Sequence, residues 1–143
     1  IPTGGLKDVG GTPFDFRKPR QVGSRIEADD AQLQGAGGYD HNWALDKPEA
    51  GTVSLAAEAY EPATGIRMKI YTDQPGLQFY AGQGMDGKEV GKRGDRHNFR
   101  SGIALETQNF PDAPNHDNFP SSVLRPGETY TQHTVYAFET DEQ

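Results

Sequence analysis

Two runs of alternating residues, Thr52 to Tyr60 and Ile66 to Asp73, flank the tetrapeptide Pro62-Ala63-Thr64-Gly65. Successive side chains of a strand point to opposite faces, so Val53, Leu55, Ala57 and Ala59 share one face of the first run. Ile66, Met68, Ile70 and Thr72 share one face of the second. The break between them carries a Pro at its start and a Gly at its end, and a glycine takes the positive φ of a hairpin turn without steric cost. This pattern commits the middle of the chain to an antiparallel β-hairpin. The 18 glycines and 10 prolines among 143 residues extend the conclusion, because that density would break a helical bundle and suits short strands joined by turns. The expected fold class is all-β.

The same reading carries along the chain. After Pro75-Gly76 a third strand runs from Leu77 to Ala81, with Gln78 and Tyr80 on one face and Leu77, Phe79 and Ala81 on the other. A further strand is expected from Asn98 to Asn109, and a last one from Glu128 to Phe138 with Tyr130, Tyr136 and Phe138 on one side. Gly82 to Gly94 reads as a glycine-rich loop bearing Lys88, Lys92 and Arg93, and Leu33 to Asp46 as irregular. Residues 1–24, with Gly4-Gly5, Gly10-Gly11, Pro13 and Pro19, read as an extended, turn-rich segment that must wrap onto something. By length the chain is one domain over 1–143 with a modest core, since only 33% of it is hydrophobic.

A net charge of −7 argues against nucleic acid or an anionic membrane as partner, because either demands clustered Lys and Arg; a neutral polar ligand fits better. No apolar run approaches the length of a membrane span. With no cysteine there is neither a disulfide framework nor a thiol nucleophile, and a cytoplasmic location is compatible with that. Ile1 is not an initiator Met, which leaves open a start within a longer gene product, a removed tag or processing.

The chemistry concentrates in Ala104 to Asn115. Alternation places Ile103, Leu105 and Thr107 on one face and Ala104, Glu106 and Gln108 on the other, in a strand ended by Pro111 and Pro114. If the first face packs, Glu106 stands on a rigid strand as a base presented to a ligand; the plainer alternative is a solvent-facing strand residue. The surrounding motifs, Leu105-Glu106-Thr107-Gln108, Pro111-Asp112-Ala113-Pro114-Asn115, Phe119-Pro120-Ser121 and Leu124-Arg125-Pro126-Gly127-Glu128-Thr129-Tyr130, resemble the C-terminal signature of the aldose 1-epimerase (galactose mutarotase) family. Gly11 to Phe16, Gly38-Tyr39-Asp40-His41-Asn42-Trp43, and Gly65 to Tyr80 resemble it in the same order.

The resemblance implies a β-sandwich of the galactose mutarotase type, present here as its C-terminal portion. It implies a protein that interconverts the α and β anomers of an aldohexose by acid/base ring opening, with no cofactor and no metal. Glu106 matches the family's base, and Asp40 and Gln78 match its contacts to sugar hydroxyls. A carboxylate and an amide together offer a polyol both acceptors and donors; alternatively Asp40 caps a turn and Gln78 is a plain strand residue. Trp43 and Tyr80 could stack on a pyranose ring or simply pack. The family's acid, second histidine and arginine lie upstream of the matched part, and none of His41, His97, His116 and His133 matches them. His41 follows Asp40, and alternation turns it to the opposite face. His116 with Asp112 and Asp117 fits no recognised metal-loop spacing. A monosaccharide is the expected ligand. A shortened sandwich implies self-association or pairing with a missing N-terminal half, and a non-catalytic carbohydrate-binding module or a structural fragment are the alternatives to an enzyme.

Overall fold

The computed structural model describes residues 3–141. Six strands dominate it: β1 (Asp40–Ala44), β2 (Ser54–Glu61), β3 (Ile66–Thr72), β4 (Gly76–Tyr80), β5 (Ala104–Gln108) and β6 (Thr134–Thr140). They form two three-stranded sheets, ordered β1-β4-β5 and β2-β3-β6. Contacts divide the chain into two compact units. A hairpin unit comprises Ile1–Gly4, Asn42–Leu77 and Thr107–Gln143, and an aromatic unit comprises Gly5–His41 and Gln78–Glu106.

In the hairpin unit β2 and β3 pair antiparallel through the expected turn, where Gly65 sits at φ +69° and its N–H donates to Glu61 O at 2.9 Å. β6 pairs antiparallel with the other edge of β3. One face of this sheet collects Ala57, Ala59, Ile66, Met68, Ile70, Tyr136 and Phe138; the other carries Glu58, Tyr60, Arg67, Lys69 and Glu139. Arg67 pairs with Glu58 and lies over the Tyr60 ring, and Lys69 pairs with Glu139 at 2.9 Å. The strict alternation expected along the first run fails at one point. A register shift between Leu55 and Ala57 sets Leu55 opposite Tyr71 while Ala57 lies opposite Ile70. An extra residue in one strand reverses the facing of everything on one side of it, so Leu55 leaves the face of Ala57 and Ala59.

The aromatic unit is held by rings. Tyr39 is fully buried, stacked on Phe79 at 5.4 Å, and met edge-on by Phe14 at 5.9 Å and Phe16 at 5.2 Å. Its hydroxyl donates to Pro13 O at 3.0 Å, satisfying the polar end of a buried ring. The turn-rich N-terminal segment therefore wraps back, and its Phe14 and Phe16 supply core that the short strands lack. Leu33, Ile26 and Ala81 are buried in the same unit.

Three other expectations are revised. A six-residue helix, α1 (Ala31–Ala36), replaces part of the irregular stretch: Asp30 caps it by accepting the N–H groups of Gln32 and Leu33, and Gly37 ends it at φ +70°. β5 covers only Ala104–Gln108 of the longer strand expected there. β6 begins at Thr134, leaving Tyr130 outside the strand with its hydroxyl 3.2 Å from Gln74 Oε1.

Candidate active site

All three residues singled out for sugar chemistry lie in the aromatic unit: Asp40 opens β1, Gln78 is the middle of β4, and Glu106 is the middle of β5. Gln78 Nε2 donates to Asp40 Oδ1 at 2.9 Å, so two residues 38 apart in sequence meet on one surface. The alternation of β4 explains the placement. Leu77 and Phe79 are buried, and Gln78 and Tyr80 take the opposite, half-buried side. Gln78 Oε1 is buried without a hydrogen-bond partner among the described residues, an unmet acceptor that typically costs about 1–3 kcal/mol until a donor reaches it.

Glu106 is exposed between half-buried Leu105 and Thr107, so its carboxylate lies on the more open side of β5, the strand next to β4. Tyr80 shares the facing of Gln78, and its hydroxyl accepts the Gly84 N–H at 2.7 Å. That acceptance leaves the phenolic proton free to be donated elsewhere. A side chain at position 84 would bring its Cβ within 2.7 Å of this oxygen, so Gly84 is what permits the contact.

His41 is turned away, as alternation requires. Its ring packs edge-on against Phe14 at 4.8 Å, and Nδ1 accepts the Asp40 N–H at 3.0 Å. Burial lowers its pKa below the ordinary histidine value, against the opposing pull of Asp40 and Asp30. A neutral imidazole held against a phenyl ring is a poor candidate for an acid on the face of Asp40. Trp43 is half-buried in β1. In the hairpin unit, His116 lies 3.3 Å from Asp112, and His133 lies 3.1 Å from Asp73. No group of three potential metal ligands converges among the described residues.

One positioning residue escaped the sequence reading. Arg100 lies just before β5 with a left-handed φ of +56°, and its N–H donates to Gly82 O at 2.9 Å. Its guanidinium donates to Glu27 Oε1 at 2.9 Å and to Gly37 O at 3.2 Å. These bonds tie the entry of the Glu106 strand to the end of α1 and to the turn after β4. No local motif marks Arg100 as such, because all three partners are distant in sequence. A cavity of about 230 Å³ beside it is lined by Ile26, Leu33, Gly37 and Arg100 among others, but by none of Asp40, Gln78 and Glu106.

The Aldose 1-epimerase family model matches residues 1–137. The chain belongs to the aldose 1-epimerase family. Among curated relatives it is 41% identical to galactose mutarotase of Rattus norvegicus over 138 residues, covering 96% of this chain and 38% of the relative. It is 40% identical to aldose 1-epimerase of Escherichia coli (strain K12) over 141 residues, covering 96% of this chain and 40% of the relative. A solved GalM/aldose epimerase homologue from C. elegans superposes with a TM-score of 0.79 at 30% identity, over 97% of this chain and 40% of that one. The all-β class and the epimerase resemblance read from the sequence motifs both hold. This aldose 1-epimerase family chain thus spans about two fifths of the length of the relatives it matches. No helix among its described residues is long and apolar enough to cross a membrane.

Proposed function

We propose that this chain carries the base and the sugar-hydroxyl contacts of an aldose 1-epimerase, acting on an aldohexose of the glucose or galactose kind. The observation that carries the reading is the hydrogen-bonded Asp40–Gln78 pair on the sheet whose next strand bears an exposed Glu106. Glu106 takes the proton from the C1 hydroxyl, the C1 to ring-oxygen bond breaks as the ring oxygen is protonated, and the open aldehyde rotates and recloses as the other anomer. Asp40 and Gln78 hold the hydroxyls that do not react, and no cofactor or metal takes part. The acid belongs to the part of the family's length outside this chain, so mutarotation by the chain alone is weak. The packing of His41 against Phe14 equally supports a second reading, a carbohydrate-binding module without catalysis. A cytoplasmic location accords with either.

Polarimetry on a fresh solution of one glucose or galactose anomer, with sugar binding followed by NMR titration, tests the reading. Glu106→Gln keeps size and hydrogen bonding but cannot accept a proton. It should lower any rate above buffer by roughly 100- to 10,000-fold and leave binding intact. Equal rates for the two proteins exclude Glu106 as the base. Binding with no rate in either protein selects the module.

A further inference from the structure

From Phe16 to Ile26 the sequence holds four cations, Arg17, Lys18, Arg20 and Arg25, and no acid, in a chain whose net charge is −7. The structure folds this stretch around a hollow of about 310 Å³ lined by Asp15, Arg17, Lys18 and Arg20. The frame under it is anchored. Phe16 packs edge-on against Tyr39 at 5.2 Å and Phe79 at 5.9 Å, and Phe14 is buried. Arg25 Nη1 donates to Thr12 O at 2.8 Å, tying the two ends of the segment together. Pro19 fixes φ between Lys18 and Arg20 and holds Lys18 toward extended backbone.

The cations differ in how far they are committed. Arg17 donates from Nε and Nη2 to the two carboxylate oxygens of Asp15, each at 2.9 Å. Lys18 and Arg20 are exposed and have neither an ion pair nor a hydrogen bond among the described residues. Asp8 accepts the Gly10 N–H at 2.6 Å within its own turn and does not line the hollow.

We propose that this hollow binds the phosphate group of a small molecule, at a place separate from Asp40, Gln78 and Glu106. Three cations against one carboxylate leave the lining at +2, which a phosphate monoester matches with about −1.5 to −2 at pH 7 and a carboxylate ligand does not. The guanidinium of Arg20 offers a planar fork to two phosphate oxygens, and Lys18 adds a point charge. Nucleic acid is disfavoured, because the aromatic unit as a whole carries ten basic and ten acidic residues and so has no extended basic surface. The inference stands whether or not Glu106 is the base.

Titration of the chain with inorganic phosphate, glucose 6-phosphate and glucose at physiological ionic strength, followed by amide NMR, tests it. Both phosphates should shift the amides between residues 15 and 20 saturably, and glucose should not. The double substitution Lys18→Gln with Arg20→Gln should weaken phosphate binding about tenfold or more. Lys92→Gln with Arg93→Gln removes the same charge from exposed residues outside the hollow, and should change affinity by less than about twofold. Tighter binding of glucose 6-phosphate than of inorganic phosphate makes the ester the ligand, and equal binding makes it phosphate itself; each supports the site. Shifts that do not saturate, equal shifts with glucose alone, or equal loss with both double substitutions overturn the proposal.

Discussion

The hairpin unit and the aromatic unit reach order by different routes. In the hairpin unit seven consecutive β3 residues pair with β6, and a regular ladder shares the load among many interchangeable contacts. The aromatic unit takes only two or three residues from each of the five-residue strands β1, β4 and β5, and its order depends on a few rings and on turns that only glycine can make. Charge divides as sharply. The aromatic unit carries ten basic and ten acidic residues and is neutral, while the hairpin unit carries the whole net charge. The lesson is that the candidate site was built where the backbone is least regular, because converging side chains from three short strands and their loops needs exceptions to the ladder.

The comparison breaks first at Tyr39. Tyr39→Ala removes a fully buried ring, its stack on Phe79 and its bond to Pro13, and should cost about 3–5 kcal/mol. Urea unfolding followed by amide signals of residues 5–41 should show the loss. A cost below about 1 kcal/mol would mean that the rings do not hold the unit.

Gly82→Ala is the next largest. Gly82 lies at φ +74°, and an added Cβ would come within 2.4 Å of Gly102 O, so neither backbone nor neighbour can accept it. The substitution should cost roughly 1–3 kcal/mol, measured as a lowered urea midpoint. Unchanged stability would show that the turn joining β4 to the Arg100 segment has an alternative conformation.

Acid should separate the units by pH. His41 has a folded pKa below its unfolded value of 6.5, because of burial, so the unfolded state binds more protons just below that pH. Its contribution is complete above about 6.5 and is lost as pH falls toward the folded pKa. Asp73 in the hairpin unit has its pKa lowered from 3.8; burial raises it, and hydrogen bonds from Gln74 and His133 outweigh that. Its contribution is complete above about 3.8 and is lost only as pH falls further. The chain's single tryptophan, Trp43, belongs to the hairpin unit, so its fluorescence should stay native at a pH where amide exchange in the aromatic unit has already risen. Simultaneous loss of both signals would remove the distinction.

The smallest expected effect is Phe138→Ala. With Phe138 68% exposed on its face, truncation in the isolated chain should change stability by no more than about 0.5 kcal/mol. A larger loss would show that the apolar face is packed in solution.

Alternation and turn chemistry determined much of this protein by themselves. Ile66, Met68, Ile70 and Thr72 share a face because side-chain direction in a strand has a period of two, and Gly65 closes the turn because it alone tolerates that φ cheaply. The opposed facing of Asp40 and His41, and the pairing of Gln78 with Tyr80, follow from the same local rule. The tertiary structure decided what has no local cause. The bulge at Leu55 depends on how β2 registers against β3, and the rescue of the core by Phe14 and Phe16 depends on a segment folding back over more than twenty residues. The grip of Arg100 on Gly37 and Glu27 is of the same kind, as is the bond between Asp40 and Gln78. Local rules fix which way a side chain points, and only the packed chain fixes which distant side chain it meets.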